Sequence, residues 1–111
     1  MDIVNKLQDL IKALNGSIKG LNETGYNYAT SYKNYRIALA NKLIELKNDG
    51  MPVTIAYDVA RGDENVAELK FKEISTEAIY KANLEAINAI KLQIKVLENQ
   101  YDKEYNNIDN V

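Results

Sequence analysis

The chain has 111 residues, 46% of them apolar, and contains no cysteine, histidine or tryptophan. That length allows one domain, and the missing thiols and imidazoles exclude disulfide frameworks, thiolate nucleophiles, histidine-activated hydroxyls and the common zinc sites. The formal charge of −2 is uneven, since residues 1 to 47 carry seven cations against four anions and residues 48 to 111 carry seven against twelve. Opposite balances favour the two halves lying against each other and argue against a protein that coats DNA, so direct DNA binding is not expected.

Asp2, Asn5, Lys6, Gln8 and Asp9 interrupt the first residues, so neither a secretory leader nor a membrane span is expected and the location is taken as cytoplasmic. From residue 7 onward a periodic pattern dominates. Leu7, Ile11, Leu14, Ile18, Leu21, Gly25, Tyr28, Tyr32, Tyr35 and Leu39 alternate steps of four and three, and only Gly25 lacks an apolar side chain. This predicts a helix over about 3 to 47. Gly16, Gly20 and Gly25 each weaken it by about 0.5 to 1 kcal/mol relative to alanine, and a break near residues 15 to 25 is the alternative.

Asn48-Asp49-Gly50 supplies a stop, with Gly50 suited to the left-handed position after the last turn and Pro52 unable to continue the helix. Residues 48 to 62 then form an elbow. Its Val53 to Arg61 reads as a short helix with Thr54 as N-cap and Gly62 as stop, or as a brief strand over Val53 to Tyr57. As a helix it would set Asp58 and Arg61 on one face as an ion pair. An elbow of this length is more than a plain connection needs, so Val53, Ile55, Tyr57 and Val59 are expected to pack against the partner helix or a second protomer.

Asp63 is a good N-cap for a last helix over about 63 to 106, and Glu64 in its first turn favours the helix dipole. Val66, Leu69, Ala78, Ile87, Ile90, Ile94, Leu97, Tyr101 and Ile108 give its apolar face, which Phe71, Ile74, Ile79 and Leu84 widen. Residues 107 to 111 are expected to fray. The fold class is therefore all-α: a single domain over 1 to 111, an antiparallel, coiled-coil-like hairpin of long helices with a short helical elbow. Two helices bury too little apolar surface alone, so homo-oligomeric assembly into a helical bundle is expected.

Little in the chain carries chemistry. Ser17, Ser31 and Ser75 have no base to activate them, no phosphate-binding glycine loop is present, and no enzyme activity or cofactor is expected. Glu64, Glu68, Glu73, Glu77 and Glu85 interleave with Lys70, Lys72 and Lys81, a pattern far more often a solvated helix face than a metal site. The one unusual cluster is Tyr28, Tyr32, Lys33, Tyr35 and Arg36. Its plainer reading is a set of bulky seam residues; its sharper reading is a nucleotide pocket, with rings stacking on bases and cations neutralising phosphates. Ile55, Tyr57, Asp58 and Arg61 are the candidate partner contacts on the elbow. Arg61-Gly62-Asp63 matches an integrin-binding triplet, which in a cytosolic protein is coincidence.

The run Tyr35 to Leu46, Pro52-Val53-Thr54, Arg61-Gly62, Val66-Ala67-Glu68-Leu69-Lys70 and Glu85-Ala86-Ile87 resembles small, mostly uncharacterised helical proteins encoded by phages and prophages of Gram-positive bacteria. The resemblance spans roughly residues 32 to 100 and includes no catalytic motif. It implies a phage-encoded interaction protein, an inhibitor or accessory that binds a host component in host takeover or anti-defence, with a host or phage protein as its expected partner. The alternatives are an oligomer that sequesters a nucleotide defence signal and an accessory to phage recombination or replication.

Overall fold

Apolar residues two turns apart run the length of both halves of the chain, and long helices form accordingly. A computed structural model describes the backbone of residues 2 to 109 and the side chains of residues 2 to 106. Three helices account for nearly all of it: α1 over Asp2–Asn48, α2 over Val53–Gly62 and α3 over Glu64–Asp109. The fold is an all-α hairpin, with α2 as the helical elbow and no strand among the described residues. α3 keeps helical backbone through 107 to 109, where fraying was expected; residues 110 and 111 of that tail lie outside the described residues.

Gly16, Gly20 and Gly25 do not break α1. One of them serves packing instead: a Cβ at Gly25 would lie 3.3 Å from the Tyr80 ring, whereas one at Gly20 would make an ordinary contact, 3.7 Å from Asn83 Oδ1. The helix ends in a Schellman turn. Gly50 takes φ +88, its N–H donates to the Lys47 carbonyl at 3.0 Å, and the Met51 N–H donates to the Leu46 carbonyl at 3.0 Å.

One expectation at the elbow needs correction. Pro52, not Thr54, starts α2: its carbonyl accepts from the Ala56 N–H at 3.0 Å, with no side-chain cap. Proline suits this place because its fixed φ, here −58, fits the approach to a helix. α2 ends at Gly62, the expected stop, with no left-handed turn there, since Gly50 is the one glycine with positive φ among the described residues. The chain turns at Asp63, the single residue between α2 and α3, whose φ −59 and ψ 134 are extended. Its carboxylate then accepts from the Val66 N–H at 3.2 Å and caps α3.

The chain clusters into two compact units: residues up to Asn22 with those from Lys81 onward, and Glu23–Tyr80. We refer to them as the terminal unit and the elbow unit. In the elbow unit α1 and α3 run antiparallel, with Lys42 beside Asp63, Tyr35 beside Lys70 and Tyr28 beside Tyr80. Its core joins Tyr35, Leu39 and Leu46 of α1, Ala56 and Ala60 of α2, and Val66 of α3. In the terminal unit α1 and α3 are also antiparallel, joined by an Asn83 Nδ2 hydrogen bond to the Ser17 carbonyl at 3.0 Å, and Ile3 and Ile87 are its buried residues among those described.

The seam of α1 differs from its expected course. Leu7, Leu14, Leu21, Tyr28 and Tyr35 face inward as expected, but the row beside them is Leu10, Ser17, Thr24, Ser31 and Ala38. Ile11, Ile18 and Tyr32 of the expected row are 47%, 45% and 48% exposed; Leu39, at the α2 end, is buried. Both i+3 and i+4 neighbours of a seam residue flank it on a helix, so either row can face the partner. After Leu10 this row is small, and at Ser17 the helices approach closely enough for Asn83 to reach the backbone carbonyl.

Candidate functional site

The aromatic and cationic cluster on α1 does not gather into one pocket. Tyr28 is half-buried with its ring 5.9 Å from that of Tyr80, and Tyr35 is buried with the Lys70 Nζ 4.7 Å from its ring centroid. The Tyr35 ring face is thus already occupied by a cation from the same chain. Tyr32, Lys33 and Arg36 are exposed. Heptad spacing explains the division, because Tyr28 and Tyr35 share the inward row while Lys33 and Arg36 lie off it.

Glu73 was expected on a solvated face and is instead buried, at 6% exposure. Its carboxylate accepts a hydrogen bond from Lys70 Nζ at 3.1 Å, which raises the Lys70 pKa above its ordinary value. Tyr35, Lys70 and Glu73 therefore form one ring, cation and anion stack. A buried carboxylate without such a partner would be costly, so the stack fixes how α1 and α3 meet. No sequence signal separated Glu73 from its neighbours except its heptad spacing from Val66 and Tyr80.

Beside this stack a polar groove runs along α1 to the start of α3, lined by Asn34, Asn41, Lys42, Asp63 and Asn65. Lys42 lies between two carboxylates, 3.4 Å from Glu45 and 3.4 Å from Asp63. Glu45 chiefly raises the Lys42 pKa, and the Val66 N–H chiefly lowers that of Asp63. A cation so paired is a poor anchor for an anionic ligand. The Asn residues were missed in the sequence because none is a charge, a nucleophile or an apolar seam residue.

α2 gives the clearest surface. Its inward residues are Ala56 and Ala60, both fully buried, and its large side chains point out: Val53 is 69% exposed, Ile55 49%, Tyr57 40% and Val59 43%. Small residues let α2 sit close on α1 and α3, and the Val, Ile and Tyr side chains find no place within the chain. Of the two places expected for these side chains, the partner helix or a second protomer, the partner helix does not bury them. The expected Asp58 to Arg61 ion pair is also not formed; the Arg61 guanidinium carbon lies 4.3 Å from the Tyr57 ring centroid instead. Ile55, Tyr57, Asp58 and Arg61 are all exposed on this one short helix.

Among the described residues no group of three or more His, Cys, Asp or Glu side chains could hold a metal ion, and no helix is long and apolar enough to cross a membrane. No protein-family model matches the chain, and comparison with curated proteins and with solved structures gives no significant similarity.

Proposed function

We propose that this chain is a non-enzymatic interaction protein, phage-encoded and acting in the cytoplasm of a bacterial host, that self-associates as a helical bundle and binds a host protein through α2. One observation carries the reading: α2 keeps its alanines inside and turns Val53, Ile55, Tyr57 and Val59 outward. A helix that placed its larger residues inward would gain more burial on its own, so the inverted arrangement favours a surface kept for a partner. Aromatic and arginine side chains such as Tyr57 and Arg61 are also the residue types that concentrate binding energy. The phage context comes from the resemblance over residues 32 to 100. Capture of a nucleotide by Tyr28, Tyr32, Lys33, Tyr35 and Arg36 has less support, since Tyr28 and Tyr35 already engage Tyr80 and Lys70.

A photo-crosslinking residue at Tyr57, expressed in a Gram-positive host, tests this. The expected result is a discrete adduct with one host protein, lost on Ile55→Asp while the melting temperature stays within a few degrees. Crosslinking from an equivalent residue at exposed Lys12 that gives the same adducts would remove α2 as the docking surface.

A further inference from the structure

Four asparagines recur on α1 at intervals of seven, Asn27, Asn34, Asn41 and Asn48, and all four are exposed. Between them, three residues after Asn34 and Asn41, stand Ile37 and Ile44, 53% and 58% exposed. Asn34, Ile37, Asn41, Ile44 and Asn48 thus alternate steps of three and four, which is the spacing of a coiled-coil seam with asparagine at one core position and isoleucine at the other. The inward seam of the same helix, through Tyr28, Tyr35 and Leu39, is filled within the chain. Asn34, Ile37 and Asn41 of this second seam line the α1 wall of the polar groove, and all three remain exposed.

A single exposed asparagine is ordinary. Repetition of the same amide every two turns, with Thr30, Ile37 and Ile44 at the intervening core positions, gives no advantage to a solvated face, whereas it fits a partner helix of matching repeat. The carboxamide is both donor and acceptor, so the group that best satisfies a row of asparagines is the same row on another copy. Orientation follows from the order of residues. An antiparallel pair would set each asparagine opposite an isoleucine and leave its amide unpaired, while a parallel pair around a two-fold axis sets asparagine on asparagine and isoleucine on isoleucine. Flanking residues permit the parallel pair: Lys33 would meet Ala38 of the second copy and Ala40 would meet its Glu45, so no like charges are opposed. From residue 27 to 48 the contact would run about 32 Å at about 1.5 Å per residue. Because α1 is already ordered by its inward seam, pairing would not have to bear the cost of forming the helix.

We infer that residues 27 to 48 of α1 pair in parallel with the same residues of a second copy, Asn34 and Asn41 each against its symmetry mate and Ile37 and Ile44 between them. This rests on the self-association proposed above and adds its face and its orientation. The chain has no cysteine, so single-cysteine variants report the contact directly. Under mild oxidation Asn41→Cys and Ile44→Cys should each give a disulfide-linked species of twice 12.6 kDa as the main product, while Arg36→Cys, a quarter-turn or more away on the other side of Tyr35, stays largely monomeric. The cysteine-free parent should sediment as a dimer, and Asn34→Asp with Asn41→Asp should raise its dissociation constant at least tenfold at pH 7 with helix content unchanged. A parent that sediments as a monomer at about 100 µM overturns both the seam and self-association. A dimeric parent in which Arg36→Cys crosslinks as readily as Asn41→Cys leaves self-association standing and overturns the seam.

Discussion

The elbow unit and the terminal unit each take part of α1 and part of α3, and they differ in one element, the ten residues of α2. In the elbow unit six residues from three helices join in a buried core; in the terminal unit, built from two helices, Ile3 and Ile87 are buried among the described residues and Leu7, Leu10, Leu14, Leu21, Ile90, Ile94 and Leu97 stay partly exposed. Two helices in contact shield one stripe of each other and leave the edges of that stripe wet. A third helix closes an edge, and it needs little mass to do so if its inward side chains are small, as Ala56 and Ala60 are. The elbow is therefore a core element as much as a connection, and the unit that contains it should be the last to open in hydrogen exchange.

Truncating one leucine in each unit measures that difference most directly. Leu39 is 4% exposed in the three-helix core, so Leu39→Ala should cost about 3 kcal/mol, a lost side chain plus the cavity it leaves. Leu14, half-buried between two helices, should cost about 1 kcal/mol on the same change, because water already reaches its edge. Urea unfolding followed by circular dichroism gives both values. Equal losses would mean that α2 adds no burial beyond what α1 and α3 already provide.

The same contrast separates what was legible in the sequence from what was not. Helix ends were legible because they depend on local chemistry: Gly50 takes the left-handed turn and Asp63 caps α3, as their positions predict. One of the two inward rows of α1 was legible, since Leu7, Leu14, Leu21, Tyr28 and Tyr35 are apolar at strict intervals of seven. The second row was not, because hydrophobicity favours Ile18 over Ser17 and does not separate Ile11 from Leu10, while the contact that marks the inward row, Asn83 on the Ser17 carbonyl, is made across helices. The candidate surface divided in the same way. That Ile55, Tyr57, Asp58 and Arg61 lie on one short helix could be read from the chain; that the alanines beside them would be the buried ones could not, since apolar size alone assigns the larger residues inward. Glu73 was hidden for a related reason, as its partner Lys70, three residues before it on α3, is itself held over the Tyr35 ring of α1.

A smaller effect is expected at the junction of α2 and α3. The Asp63 carboxylate accepts from the Val66 N–H and lies 3.4 Å from Lys42, and its pKa is lowered from the usual 3.8, chiefly by that N–H. A carboxylate with a depressed folded pKa contributes stability above its unfolded pKa and loses it as the pH falls through the folded one. Asp63→Ala should therefore lower the melting temperature at pH 7, and the gap from the parent should narrow below about pH 4 as the parent's own carboxylate protonates. Thermal melts of both proteins between pH 2 and pH 7 read this out. A gap that stays constant across that range would assign the loss to packing at Asp63 and not to its charge.

The smallest effect, and the one of opposite sign, comes from the glycines of α1. Gly16 lies in the terminal unit, is exposed, and an added Cβ there would meet nothing within 4 Å, so Gly16→Ala should stabilise by about 0.5 to 1 kcal/mol through the backbone freedom that alanine removes from the unfolded chain. Gly25 lies in the elbow unit, where the same Cβ would stand 3.3 Å from Cε1 of Tyr80, a ring held 5.9 Å from that of Tyr28. The propensity gain is the same at both places, but at Gly25 the Tyr80 ring must move by a few tenths of an ångström against its neighbour. Gly25→Ala should therefore gain less than half as much as Gly16→Ala, or lose stability outright. Equal gains in paired urea melts would mean that the Tyr28 and Tyr80 pair yields freely, and that the denser packing of the elbow unit ends before it reaches Gly25.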